Sequence, residues 1–400
     1  MIQLDAVETL AFGGVVLFVG YALCRFVPVL GRYNIPEPVI GGLVVALIAL
    51  VARRFNTTLV EFDTSLQQPL MVAFFTTVGV NASLALLRVS GRQVMIFLAL
   101  ASVFAMLQNV LGIGVATVFG QHPLFGVLTG STTLTGGPAT GLAFAPLFEQ
   151  AGVHGAESIA ISSAMAGIIC GGVIGGPVIT VLIRRYKLRS SSDAAGVAGG
   201  GEAMLQAGEP QDDAGREFAA LKSIVLILVA MWAGSWVGHG FEALGLVLPA
   251  YIGAMLVGAL IRNIDDYTGW IGLSVRSTDV IGNVALALFL AVALMNLRLW
   301  ELSGLALPLV VNLALQIVLV VLFCIPVFRL MGRDYDAAVM GGGFIGFMLG
   351  TMANAMAVMR RLVERYGVAP RAFLVAPLVG AFFIDFINAL IITGFLNFWE

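Results

Sequence analysis

Polar residues in this chain come in short clusters separated by long apolar runs, at a spacing set by bilayer thickness. Runs of about 20 apolar residues, the length a helix needs to cross a hydrocarbon core about 30 Å thick, recur along the chain. Such spans are predicted near 7 to 27, 35 to 52, 66 to 87, 93 to 120, 157 to 183, 219 to 244, 247 to 263, 277 to 298, 303 to 330 and 372 to 398. Two further apolar segments, about 123 to 147 and 337 to 359, differ in kind: the first contains "LTGGPATGLA" (134 to 143), the second "MLGTMANAMA" (348 to 357). Gly, Thr, Pro and Asn stand there where a spanning helix would carry Leu and Val. Gly and Pro weaken or break helices, so each segment reads as a hairpin that enters the membrane and turns back.

Charge arbitrates between turning back and crossing, because cytoplasmic loops accumulate Lys and Arg. If both segments turn back and the N-terminus lies outside, 18 of the 21 basic residues fall on the cytoplasmic side; if both cross, the split is 9 against 12. The hairpin topology is therefore expected, with both termini outside. Composition agrees: 59% of the 400 residues are hydrophobic and 11% charged, against about 25% charged in soluble domains. The net charge of -2, with basic residues scattered, gives no nucleic-acid footprint. Cys24, Cys170 and Cys324 are isolated in apolar runs without metal-ligand spacing. The opening "MIQLDAVETL" carries acidic rather than basic flanks, so the first run is expected to be a retained span. His122, His154 and His239 fall near span ends and read as interfacial, and no HExxH, GxSxG or GxxxxGK[ST] motif occurs. An ATP-driven pump or a hydrolase would lack its machinery.

The polar, Gly-rich stretch 190 to 215 divides the chain into an N-terminal repeat (1 to 186), a flexible cytoplasmic linker (187 to 218) and a C-terminal repeat (219 to 400). "VIGGLVVALI" (39 to 48) resembles "YIGAMLVGAL" (251 to 260), Gln108 pairs with Gln316 and Asn81 with Asn296, at offsets of 212, 208 and 215. A near-constant offset is what a duplicated unit leaves behind. Five spans per half would turn the second copy upside down. The expected fold class is thus an all-α polytopic membrane protein with two inverted-topology repeats of five transmembrane helices, each with a re-entrant hairpin, an architecture of secondary transporters.

A chain that reverses inside the bilayer exposes backbone groups that only protein or trapped water can satisfy, so the turns should line a cavity. Gly136 lies about 18 Å along its segment, near mid-membrane. Half-helix N-termini there suit a carboxylate. Ser131, Thr133, Thr135, Gly136, Gly137, Thr140, Gly350, Thr351 and Asn354 are the candidate substrate-binding residues, with Thr132 a further hydroxyl beside them. Asp385 is the one charged residue between Ala372 and Trp399. An intramembrane carboxylate marks a functional site; with Asn388 on the same face it suits Na+, the alternative being a structural carboxyl. Thr76, Thr77 and Asn81 form a polar face that serves either a second Na+ site or interhelical hydrogen bonds. Gln108, Asn109, Asn312 and Gln316, together with the small residues of "CGGVIGGP" (170 to 177), read as helix-packing groups.

Four stretches resemble the bacterial sodium/glutamate symporter family: "NIPEPVIGGL" (34 to 43), "PLMVAFFTTVGVNASL" (69 to 84), "LQNVLGIGVATVFG" (107 to 120) and "PLVGAFFIDFINALIITGF" (377 to 395). The resemblance implies Na+-coupled uptake of L-glutamate across the bacterial inner membrane, two re-entrant loops in an inverted repeat, and a homodimer with one domain moving as an elevator. Two departures fall at the loops. The family's first loop typically reads GGHGT, whereas "GGPAT" here places Pro138 at the histidine position, and "GTMANAMA" replaces a Thr-Pro element in the second. They leave another organic anion, such as a dicarboxylate, as the alternative cargo, with a passive channel as the different class.

Overall fold

The computed structural model describes residues 2–27, 30, 35–55, 60–190, 213–243, 248–302 and 304–399. In chain order its helices are α1 (Ala6–Phe26), α2 (Glu37–Arg54), α3 (Gln67–Val80), α4 (Leu84–Val118), α5 (Pro123–Val127), α6 (Gly137–Gln150), α7 (Ala156–Tyr186), α8 (Asp213–Ala243), α9 (Ala250–Thr268), α10 (Val275–Met295), α11 (Ala306–Leu330), α12 (Tyr335–Met348), α13 (Met352–Tyr366), α14 (Pro370–Leu378) and α15 (Ile384–Trp399). Wide π-helical turns follow α5 (Leu128–Thr132) and α14 (Val379–Phe383). Short strands β1 (Ile2–Leu4) and β2 (Val60–Phe62) pair in parallel, Gln3 opposite Glu61, an addition to the all-α expectation. Three-residue strands are too short for an alternating pattern to announce them.

The expected spans recur as helices, with informative differences. Among the described residues six helices, α1, α4 from Gly91 onward, α7, α8, α10 and α11, have the length and hydropathy to cross a bilayer. The chain is thus a polytopic helical membrane protein. The predicted span 66 to 87 ends early, α3 stopping at Val80 with Asn81 as its C-cap. A left-handed Gly91 (φ 73°) separates the first turns of α4 from the rest, and the last span is interrupted before Asp385 by the second π turn. Residues 191–212, the heart of the expected linker, lie outside the described residues, and α8 already begins at Asp213.

The chain forms two compact units, Met1–Ser83 with Glu209–Ser303, and Leu84–Gly208 with Gly304–Glu400. Unit 1 therefore holds α1–α3 and α8–α10, and unit 2 holds the rest. Within unit 1 the capping box of Asp5 and Glu8 starts α1, and Pro36 and Pro249 stand at the N-caps of α2 and α9. Helices α3 and α9 approach backbone to backbone: a Cβ on Gly79 would lie 2.1 Å from the Met255 carbonyl oxygen, and the Phe75 and Tyr251 rings stack at 3.8 Å. Within unit 2 the core is aromatic, with Phe97 and Phe104 of α4 meeting Phe344 of α12 edge-on at 5.8 and 5.2 Å. That packing anchors α12 against α4 and so fixes where the second helix break falls.

Candidate functional site

The first break is built by sequence. His122 caps α5 by accepting from the Leu124 N–H, and Pro123 opens the helix. After one turn the backbone leaves helical geometry at Gly130 (φ -97°, ψ -125°). It re-enters at Gly137, whose φ of +70° favours glycine, with Pro138 in the first turn of α6. The freed backbone groups find side chains instead. Ser131 N–H donates to Asn109 Oδ1 at 2.8 Å, and its carbonyl accepts from Asn388 Nδ2 at 3.0 Å. Asn312 Nδ2 donates to the Thr129 carbonyl at 2.8 Å, and Thr133 Oγ1 donates to the Leu128 carbonyl and accepts from Ser163 Oγ. Away from water an unmade backbone bond costs several kcal/mol, so these amides do the structural work expected of buried polar groups.

The second break joins α12 to α13. The two helices run antiparallel in close contact, a Cβ on Gly346 falling 2.5 Å from Ala355 Cα. Leu349 and Gly350 leave the helix, and Thr351 caps α13, its Oγ1 accepting from the Asn354 N–H. Asn354 Nδ2 donates to the Ile168 carbonyl of α7 at 2.7 Å. The small residues of α7 pack here as expected, Gly171 lying beneath Leu349. The two breaks meet: a Cβ on Gly137 would stand 3.5 Å from the Gly350 carbonyl oxygen and 3.7 Å from Thr351 Cγ2. One side chain binds both. Gln108 Oε1 accepts from Thr135 Oγ1 at 2.5 Å while its Nε2 donates to the Met348 carbonyl at 2.9 Å.

Several buried polar atoms around these breaks have no hydrogen-bond partner among the described residues: Ser131 Oγ, Thr132 Oγ1, Asn388 Oδ1, Asn312 Oδ1, Gln316 Oε1 and the donor Asn109 Nδ2. Bare buried acceptors are rare in folded proteins and call for a ligand, ion or water. Asn388 holds the Ser131 carbonyl, so its free Oδ1 and the free Ser131 hydroxyl belong to one small neighbourhood. Asp385, half-buried, lies one helical step before Asn388 just past the second π turn. A Cβ on Gly380 in that π turn would touch Met352 Sδ at 2.8 Å, which brings the turn up to the second break. Neither hairpin segment, 123 to 147 or 337 to 359, contains a Lys or Arg. Positive partial charge there comes from helix N-termini. No His, Cys, Asp and Glu cluster able to hold a metal occurs among the described residues.

Unit 2 thus brings Ser131 against Asn388, and Gly137 against Gly350 and Thr351, with Thr135 tied to Met348 through Gln108; Gly136, Asn354 and Asp385 belong to the same unit. Thr133 spends its hydroxyl on Leu128 and Ser163, and Thr140 is buried beneath Gly136. Thr76, Thr77 and Asn81 belong to unit 1. There Thr76 and Thr77 donate to their own helix at Val72 and Phe74, and Asn81 Nδ2 donates to Asp279 at 2.6 Å. Sequence reading did not single out Asp279, an acid inside a predicted span, nor the part Gln108 plays at both breaks; the first was visible in the chain, the second needs the fold.

Buried polar residues that converge on two helix breaks in a polytopic helical protein give it the build of a secondary transporter. The family model described as "Sodium/glutamate symporter" matches residues 2–368. Proteins of that name from Escherichia coli (strain K12) and Haemophilus influenzae are 42% and 39% identical to this chain, over 99% and 96% of its length and 98% and 95% of their own. The chain belongs to the sodium/glutamate symporter family.

Proposed function

We propose that this protein imports an anionic amino acid, L-glutamate, by Na+-coupled symport. The meeting of the two broken segments carries the reading: α6 and α13 begin at the two breaks, which come together at Gly137, Gly350 and Thr351, and helix N-termini suit a substrate carboxylate. Sodium binds at the Asp385 carboxylate together with Asn388 Oδ1 and the hydroxyls of Ser131 and Thr132, the last three being buried oxygens without a protein partner among the described residues. Thr76 and Thr77 spend their hydroxyl protons on their own helix, and Asn81 Nδ2 bonds across to Asp279, which supports a structural role for this polar face over a second Na+ site.

In this proposal the segments about 123 to 147 and 337 to 359 are re-entrant hairpins entering from opposite faces, the halves are inverted repeats, and both termini are periplasmic in the bacterial inner membrane. Two features support duplication. Each half changes unit after its third helix, and Asn81 and Asn296 both cap the third helix of their half. Unit 2, which holds both breaks, is the moving body of an elevator cycle, in a homodimer. The energetics suffice: a tenfold Na+ gradient supplies about 1.4 kcal/mol per ion, and each net charge moved inward gains about 2.3 kcal/mol per 100 mV.

Uptake of labelled glutamate into proteoliposomes, with a competition panel of amino and dicarboxylic acids and with Na+ present or absent, tests the reading. Concentrative, Na+-dependent uptake displaced best by glutamate supports it. Equal uptake without Na+ would indicate a channel. Pro138 at the first tip bears on cargo choice, and preferential displacement by dicarboxylates lacking an amino group would establish that alternative cargo instead.

A further inference from the structure

Asn312 and Gln316 lie one turn apart on α11 and so share a face. They are only 2% and 0% exposed. The orientation of each amide is imposed by its partner: Asn312 Nδ2 donates to the Thr129 carbonyl and Gln316 Nε2 to the Gln108 carbonyl, both at 2.8 Å. A carbonyl accepts only from the NH2 side, so neither amide can be reversed without losing its bond. Asn312 Oδ1 and Gln316 Oε1 are left buried with no donor among the described residues. The two donor bonds account for the NH2 groups, but each amide also leaves a desolvated acceptor, which costs free energy unless something occupies it.

We propose that Asn312 Oδ1 and Gln316 Oε1 form a second Na+ site, built from neutral oxygens and separate from Asp385, whose ion moves with the substrate. This rests on the symport reading above. Atoms that only accept cannot hold a carboxylate, and amide oxygens do not titrate in the physiological range, so neither substrate nor proton fits them; a hard monovalent cation does. An ion held by neutral ligands in a low-dielectric interior keeps its charge uncompensated, which favours an anion close by. Gln108 supplies the connection: its backbone carbonyl holds Gln316, and its side chain holds Thr135 at one tip and the Met348 carbonyl at the other. Ion and substrate therefore stabilise each other across a single residue. Two Na+ with one monoanionic glutamate carry one net positive charge inward per cycle.

The test uses the full-length protein in proteoliposomes, measuring initial glutamate uptake against Na+ concentration together with the transport current. The expected wild-type result is sigmoidal Na+ activation with a Hill coefficient near two and an inward positive current. Gln316→Met and Asn312→Leu should bring the coefficient near one and abolish the current while slower uptake persists. Should those variants not assemble, the charge moved per labelled glutamate in the wild type decides: one net positive charge supports the second ion, and none counts against the site. Na+-dependent but hyperbolic, electroneutral uptake by the wild type overturns the second site and leaves symport standing. Na+-independent uptake overturns both. Variants that keep the wild-type Hill coefficient and current would show that the two oxygens hold only water, and the site is rejected.

Discussion

Substituting Gly137 by Ala perturbs the meeting point of the two breaks in a way the geometry lets one work through. A methyl group there meets no hard obstacle, the nearest atoms being the Gly350 oxygen at 3.5 Å and Thr351 Cγ2 at 3.7 Å. The cost is conformational. At φ +70° an alanine is disfavoured by about 1–2 kcal/mol relative to glycine, which the protein bears only while the tip keeps its present form. If that form binds substrate, apparent affinity falls by a factor of about 5–30, and the methyl also occupies the space between the tips. Gly176 is the control: it sits inside α7 with nothing within 4 Å of a Cβ, so alanine there should be neutral or stabilising by about 0.5–1 kcal/mol. Glutamate uptake kinetics and thermal unfolding of both variants provide the assay. A raised KM for Gly137→Ala beside normal kinetics for Gly176→Ala is expected. Wild-type KM in Gly137→Ala, or equal losses in both, would refute the assignment of the tip as the binding site.

Asp385→Asn should remove most of the Na+ dependence of uptake while the protein still unfolds cooperatively near the wild-type temperature; an unchanged Na+ activation curve rejects Asp385 as an ion ligand. Thr351→Val removes the cap of α13, a loss of about 1 kcal/mol, and should impair transport more than Ser162→Ala, with equal mild effects counting against the second break. Asp265, beyond the predicted span 247 to 263, is partly buried, which opposes its ionisation. Hydrogen bonds from the Leu273, Gly272 and Ile271 N–H groups and the nearby Arg262 outweigh that and hold its carboxyl below the usual carboxylate range. Its stabilisation is therefore present above the unfolded carboxylate pKa of about 3.9 and lost as pH falls through the folded value. The unfolding-temperature gap between wild type and Asp265→Asn should shrink below that pH, and a gap constant with pH would contradict the account.

Much of this molecule follows from one-dimensional rules, because a bilayer reduces folding choices to crossing, turning back or staying outside. Apolar run length located the helices, and the Gly, Pro and Thr runs at 134 to 143 and 348 to 357 located both breaks, since the same residues that unwind a helix in water do so in protein. Asp385 stood out for being alone among apolar neighbours. Pairing was another matter. That Gln108 grips Thr135 and Met348 at once, that Asn388 reaches the Ser131 carbonyl, and that Asn312 and Gln316 are left with bare oxygens all depend on contacts between residues up to 257 positions apart. A buried amide looks the same along the chain whether it packs a helix, patches a broken one or waits for an ion. Only the neighbours that use up its donors and acceptors distinguish these cases, and tertiary packing alone supplies them.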